Sequence, residues 1–292
     1  MRTLALLAFS AGCLRVQAEP QISVTVNMVV LHASVTSPAG AAVTGLTATD
    51  FKVYEDKTLQ TLRLFRHDDL PLSVGLVVDH SGSTRSKLAD VVSAARKFVQ
   101  SSSTEDEMFV VNFNDFPSFG LPAATPFSHD SEELARAVAN TPAEGMTALY
   151  DAIFLALGRL QNGTRDKKVL VIFSDGADNA STHKLAEILQ LAERSNVMLY
   201  TIGLFDLADP DRNPGVLRRL AHASGGDAYF PKRLTELNDV CERIARDLRN
   251  QYTLGYLSSS VAPPGVFRRI RVVAGKNSIR TRPGYTLTQG TP

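Results

Sequence analysis

Hydrophobic and polar positions change period twice along this chain of 292 residues. In residues 21–66 apolar side chains alternate: Ile22, Val24, Val26, Met28 and Val30 fall on every second position before Ser37-Pro38-Ala39-Gly40 breaks the run. Period two marks strands with one buried face, and residues 51–56 and 62–65 extend the same pattern. Between residues 72 and 230 continuous apolar runs take over, at 72–78, 108–113, 169–173, 197–202 and, briefly, 228–230. They are separated by helical spacing in Leu88, Val91, Val92, Ala95, Phe98 and Val99, in Leu149, Ile153, Ala156, Leu157 and Leu160, and in Leu185, Ile188, Leu189 and Ala192. Apolar strands each followed by an amphipathic helix predict a parallel sheet covered on both faces. After Leu248 alternation returns in Tyr252, Leu254 and Tyr256, with further strands expected at 267–273 and 278–282.

The pattern therefore predicts an α/β fold: a doubly wound, mostly parallel sheet with a smaller all-β unit. The expected segments are 1–18, 19–70, 71–250 and 251–292. Terminal passages of about 45 and about 35 residues are too short for separate cores, so the two are expected to pack together as one sandwich-like unit.

Composition narrows the classes. Hydrophobic content of 44% and charged content of 21% are ordinary globular values. A net charge of +1 makes no electrostatic case for nucleic acid. The first residues carry an export signature: Arg2, an apolar stretch at 4–12, and Val16-Gln17-Ala18 as a small-residue cleavage pattern. A periplasmic, cell-envelope or secreted protein is expected, with no apolar run long enough to cross a bilayer once residues 1–18 are removed. Cleavage before Cys13 would instead leave a lipid anchor, an option ranked second because Ser10 stands where lipoprotein signals usually carry an aliphatic residue. With Cys13 removed, Cys241 has no partner for a disulfide and falls on the apolar stripe Leu237, Val240, Cys241, Ile244, Leu248.

The candidate chemistry begins where the run at 72–78 ends, in Asp79-His80-Ser81-Gly82-Ser83. Alternation points Asp79, Ser81 and Ser83 the same way at the carboxyl end of a strand, where α/β sheets place their sites. All three offer oxygen, which hard divalent cations prefer. Two more oxygen residues occur at comparable edges, Thr147 in Gly145-Met146-Thr147 and Asp175 in Ser174-Asp175-Gly176.

These five residues resemble the metal-ion-dependent adhesion site of the von Willebrand factor type A domain, and the resemblance extends from about Leu72 to about Leu248. It implies a Mg²⁺ site (Mn²⁺ or Ca²⁺ being alternatives) at Asp79, Ser81, Ser83, Thr147 and Asp175, a protein partner presenting Asp or Glu, and no catalysis. The flanks are similar to a bacterial family of secreted von Willebrand A-related proteins, through Gly45-Leu46, residues 50–56, Gln251-Tyr252-Thr253-Leu254-Gly255-Tyr256 and Arg282-Pro283-Gly284-Tyr285. Two other functions stay open: a structural envelope protein that has lost its metal, and a serine hydrolase using Ser81 or Ser83. The hydrolase lacks a G-x-S-x-G elbow and a recognisable triad histidine.

Several other residues carry expectations. His80 is expected to face solvent, and Asp178 and Asn179 to be turn residues, with a role in supporting the Asp175 site as the second reading. Asp206, Asp209 and Asp211 read as a solvated loop, since they lack the spacing of a calcium loop. Arg268, Arg269, Arg271, Arg280 and Arg282 make the last strands basic, with Arg269 and Arg271 forming a solvated face over Ile270 and Val272, and a polyanion-binding patch ranks second to that reading.

Overall fold

The first strand, β1 (Met28–Thr36), leads to β2 (Lys52–Glu55), β3 (Thr58–Gln60) and β4 (Leu62–Arg66). The central part follows as β5 (Leu72–Asp79), α1 (Leu88–Gln100), β6 (Glu107–Phe113), β7 (Pro117–Phe119), α2 (Ser131–Ala139) and α3 (Leu149–Leu160). It continues through β8 (Lys167–Ser174), α4 (Leu185–Arg194), β9 (Val197–Gly203), α5 (Pro214–Ser224), β10 (Ala228–Tyr229) and α6 (Leu237–Arg249). The last strands are β11 (Tyr252–Leu257), β12 (Phe267–Val273), β13 (Ser278–Arg280) and β14 (Gly284–Thr286). The structure is a computed structural model and describes residues 28–205 and 212–287. The export pattern of residues 1–18, Cys13, the alternation of Ile22, Val24 and Val26, and the loop aspartates 206, 209 and 211 lie outside the described residues.

The fold is α/β with a mostly parallel central sheet, as the periodicity predicts. Its order is β10-β9-β8-β5-β6-β7, and only the β6–β7 pair is antiparallel. All eight residues of β5 are buried, because α1, α2 and α6 pack together on one side of the sheet and α3, α4 and α5 on the other. That is why its side chains are apolar on both faces.

Residues from the two ends of the chain form two further sheets, β13-β1-β11-β4 and β14-β12-β2-β3. Val29 pairs with Tyr256 and Leu31 with Leu254 across the sequence. Leu31, Val53, Tyr252, Leu254, Tyr256 and Tyr285 close one core between these sheets, separate from the core of the central sheet. Neither end has enough apolar surface alone, and pairing supplies it.

The five C-terminal arginines do not form one basic surface. Arg269 and Arg271 are exposed as expected, but Arg268 is 2% exposed. Arg280 bonds Asp247 and Ser34, and Arg282 donates to the Val30 carbonyl at 2.8 Å. An arginine on the inward-facing side of a strand stays buried only with such acceptors.

Candidate functional site

Sheet order sets the site's position. From β5 the chain moves to β6 on one side, whereas β8 and β9 lie on the other. The crevice beyond the carboxyl ends of β5 and β8 is thus a topological switch point, where open α/β sheets bind ligands. Asp79 ends β5, and Asp175 follows β8 directly. Ser81 and Ser83 enter the 3₁₀ turn Gly82–Lys87 that precedes α1, and Thr147 stands two residues before α3.

The structure brings Ser81, Ser83, Thr147 and Asp175 into the lining of one cleft of about 170 Å³, with Gly82, Gly145, Met146, Ala177 and Asn179. Asp79 is placed behind that lining. The Ser81 amide donates to its Oδ1 at 2.9 Å, and the Ser174 hydroxyl to its Oδ2 at 2.8 Å. Ser83 donates to Asp175 Oδ2 at 2.6 Å, and the Ser81 and Ser83 hydroxyls are 3.2 Å apart. Neither serine hydroxyl hydrogen-bonds a histidine among the described residues.

Asp79 and Asp175 are each 1% exposed. Among the described residues, no lysine, arginine or histidine forms an ion pair with either one. Burial, with the Asp175 carboxylate as a second cause, pushes the Asp79 carboxyl up to about 7. With no base beside it, Asp79 pays a cost of ionisation that the neighbouring Asp175 carboxylate increases. A dipositive ion relieves that cost, and the donor set of carboxylates and neutral hydroxyls is all oxygen, as hard cations require. The residues therefore fit the cation that the resemblance implies. Among the described residues, no cluster of three or more His, Cys, Asp or Glu offers a different kind of metal site.

The loops around the cleft are held by Asn179 and Asp178, for which the sequence leaves a supporting role open beside the turn reading, and by Gly145, whose role it does not single out. Asn179 Oδ1 accepts from the Thr147 amide at 2.8 Å, while the Asn179 and Ala180 amides donate back to the Thr147 carbonyl at 3.0 and 3.1 Å. Asp178 accepts from the Tyr150 amide at 2.9 Å and from Ser181 at 2.6 Å. The turn residues Asp178 and Asn179 thus dock the Thr147 loop onto the β8 loop. Gly145 has φ +83°, and a Cβ there would lie 2.1 Å from Asp115 Oδ2, so only glycine permits this approach. Its carbonyl accepts from the Gly82 amide at 3.2 Å, joining the threonine loop to the serine loop.

His80 is a correction. It is fully buried, not solvent-facing. In the strand-end alternation it points opposite to Asp79 and Ser81. Its ring sits near Asn112, Val138 and Thr141 without reaching hydrogen-bond geometry, and burial lowers its pKa.

Comparison with known proteins gives a consistent picture. The family model described as von Willebrand factor type A domain matches residues 73–243. The uncharacterised protein sll0103 of Synechocystis sp. is 22% identical over 209 residues, covering 70% of this chain. The match covers 48% of that relative, so this chain spans about half its length. A von Willebrand factor type A structure from Catenulispora acidiphila superposes with a TM-score of 0.55 at 14% identity, covering 90% of this chain and 74% of that one. The minor pilin PilB of Streptococcus sanguinis gives 0.50 at 12% identity, covering 63% of each chain. At such identities the structures speak for the fold alone.

Proposed function

The chain belongs to the von Willebrand factor type A domain family, and on that premise we propose that it is an exported, non-enzymatic protein-binding module. In this reading a divalent cation, Mg²⁺ in the first instance, is held by Ser81, Ser83, Thr147 and Asp175, with Asp79 behind them, and completes its shell with an Asp or Glu of a partner. The observation that carries the proposal is the pair of buried, base-free carboxylates under an open cleft lined by hydroxyls. Neutral hydroxyls leave a dipositive ion under-neutralised, so an incoming carboxylate is an attractive last ligand. The chain's own residues do the positioning. Ser174 and the Ser81 amide orient Asp79, and Asn179 fixes the backbone at Thr147. The positive end of the α3 dipole lies beside the cleft and favours the same anion.

Export rests on the pattern in residues 1–18. Among the described residues, no helix is long and apolar enough to cross a membrane.

The test is thermal unfolding of residues 19–292 with Mg²⁺, with Mn²⁺, and with EDTA. A cation that binds only the folded state at about 100 times its Kd stabilises by ~2.7 kcal/mol. The midpoint should rise in the wild type and stay fixed in Asp79→Ala. Equal cation effects in both proteins would overturn the metal reading.

A further inference from the structure

A second surface lies on the outer face of the sheet β14-β12-β2-β3, which belongs to the terminal β unit and not to the sheet that carries the cleft. Arg269 and Arg271 are exposed there at alternate positions of β12, and Lys52 and Lys57 are exposed on β2 and the turn after it. Among the described residues, none of these four cations forms an ion pair. Asp56 is the one acid among the residues lining the adjoining groove, so the patch is cationic.

Local structure holds these groups outward. The Arg271 guanidinium lies 4.6 Å over the Tyr54 ring, its cross-strand partner in the β12–β2 register. Asp56 and Lys57 both have positive φ, 45° and 75°, and make the tight turn into β3. The Asp56 amide donates to the Arg269 carbonyl, and the Arg269 amide to Asp56 Oδ1, each at 2.9 Å. On the other side of β12, pairing with β14 ends at Arg269–Gly284. Pro283 precedes Gly284 and has no N–H to extend the ladder. The result is a groove of about 530 Å³ lined by Tyr54, Asp56, Lys57, Arg269, Arg271 and Pro283.

We propose that this groove binds an extended acidic polypeptide segment with carboxylates on alternate residues. Arg269 and Arg271 are two residues apart on a strand, hence about 7 Å apart, the spacing an extended peptide gives to its own alternate side chains. One carboxylate then meets each guanidinium in a charge-assisted pair, and Lys57 takes a further one at the turn. The binding is electrostatic and owes nothing to the cleft, so it needs no divalent cation.

The experiment is fluorescence anisotropy at low salt, using residues 19–292 and a labelled peptide of about twelve residues with glutamate at every second position. Two comparison ligands are a peptide of equal composition with its glutamates in one block and an anionic polysaccharide. The alternating peptide should bind equally in Mg²⁺ and EDTA, and more tightly than the block peptide. Arg269→Glu and Arg271→Glu should each weaken it by about threefold or more, and together by about tenfold, the scale of exposed ion pairs turned repulsive. Lys57→Asn, at an exposed turn that asparagine tolerates, should weaken it without altering the unfolding midpoint. Arg233→Glu, on a different surface, should leave it unchanged. The proposal is overturned if the alternating peptide fails to bind, binds no better than the block peptide, or is indifferent to reversal of Arg269 and Arg271. Binding by the polysaccharide alone also overturns it. Loss of binding in EDTA would place the peptide in the cleft instead.

Discussion

Two of the buried carboxylate centres among the described residues are built in opposite ways. In the terminal β unit, Glu55 is 1% exposed and accepts from the hydroxyls of Tyr256 at 2.7 Å, Ser258 at 2.6 Å and Tyr285 at 3.0 Å, with Arg268 at 3.9 Å. Its charge is met from within the chain. At the edge of the central sheet, Asp79 and Asp175 are equally buried but have hydroxyls and amides around them and no base. The first centre is closed and structural. The second leaves negative charge to be met from outside, and equal burial therefore says little until the donors are counted.

The strongest way to break this contrast is Glu55→Ala. It strands Arg268 without its counter-charge, and removing one partner of a buried pair costs about 3–5 kcal/mol. Chemical denaturation should show a loss of that order, and a loss under about 1 kcal/mol would mean that the closed centre is not structural.

Next comes Asp79→Asn in EDTA. Burial pushes the Asp79 carboxyl from its ordinary value of 3.8 up to about 7 in the folded state. Its contribution is full below the lower value and is lost as pH rises through the higher one. The variant cannot ionise, so relative to wild type it should gain on the order of 2–4 kcal/mol between about pH 4 and pH 8. Unfolding midpoints measured across that range test this, and parallel curves would refute it. Saturating Mg²⁺ should shrink the gap.

Ser174→Ala sharpens the contrast on a smaller scale. It removes one hydrogen bond to Asp79, with an expected loss of about 1 kcal/mol in the same unfolding assay.

The smallest stability effect belongs to Thr147→Ala, expected at under about 1 kcal/mol because the backbone bonds to Asn179 remain. Capture of a carboxylate-bearing partner, followed by titration with cation present, should nevertheless fall sharply. Undiminished capture in chelator would move recognition to another surface.

Much of the fold was legible because the central strands are uninterrupted apolar runs and the terminal ones alternate. Two helices escaped the periodicity. In α2, four buried residues, Leu134, Ala135, Ala137 and Val138, lie within nine positions, too few for a clear stripe, although Asp130 caps its start. The signs of α5 were also local: Asn213 as the cap, Pro214 in the first turn and Gly225 in the left-handed conformation at its end. At the site, all five oxygen residues could be picked out, because alternation at a strand end is a local property. The contacts of the groups that position them could not, although Asn179 stood open as a candidate support. Asn179 and Ser174 act across loops distant in sequence, and His80 turned inward because β6 and the chain after α2 close over it. The split among the C-terminal arginines was hidden for the same reason: acceptors such as Asp247 and Val30 come from distant segments.

The strand order β13-β1-β11-β4 also has a consequence in time. β11 lies between β1 and β4, so two strands from the start of the chain are joined only through one near its end. A chain emerging from its amino end presents β1, β2 and β4 long before Tyr252 and Phe267 arrive to pair with them. Until then their hydrogen-bonding edges are open templates for other chains, while the residues between them can already be collapsing into the central sheet. Premature termination just after α6 would leave that state permanent: a finished central domain trailing unpaired strands, and a route to aggregation rather than to simple loss of function.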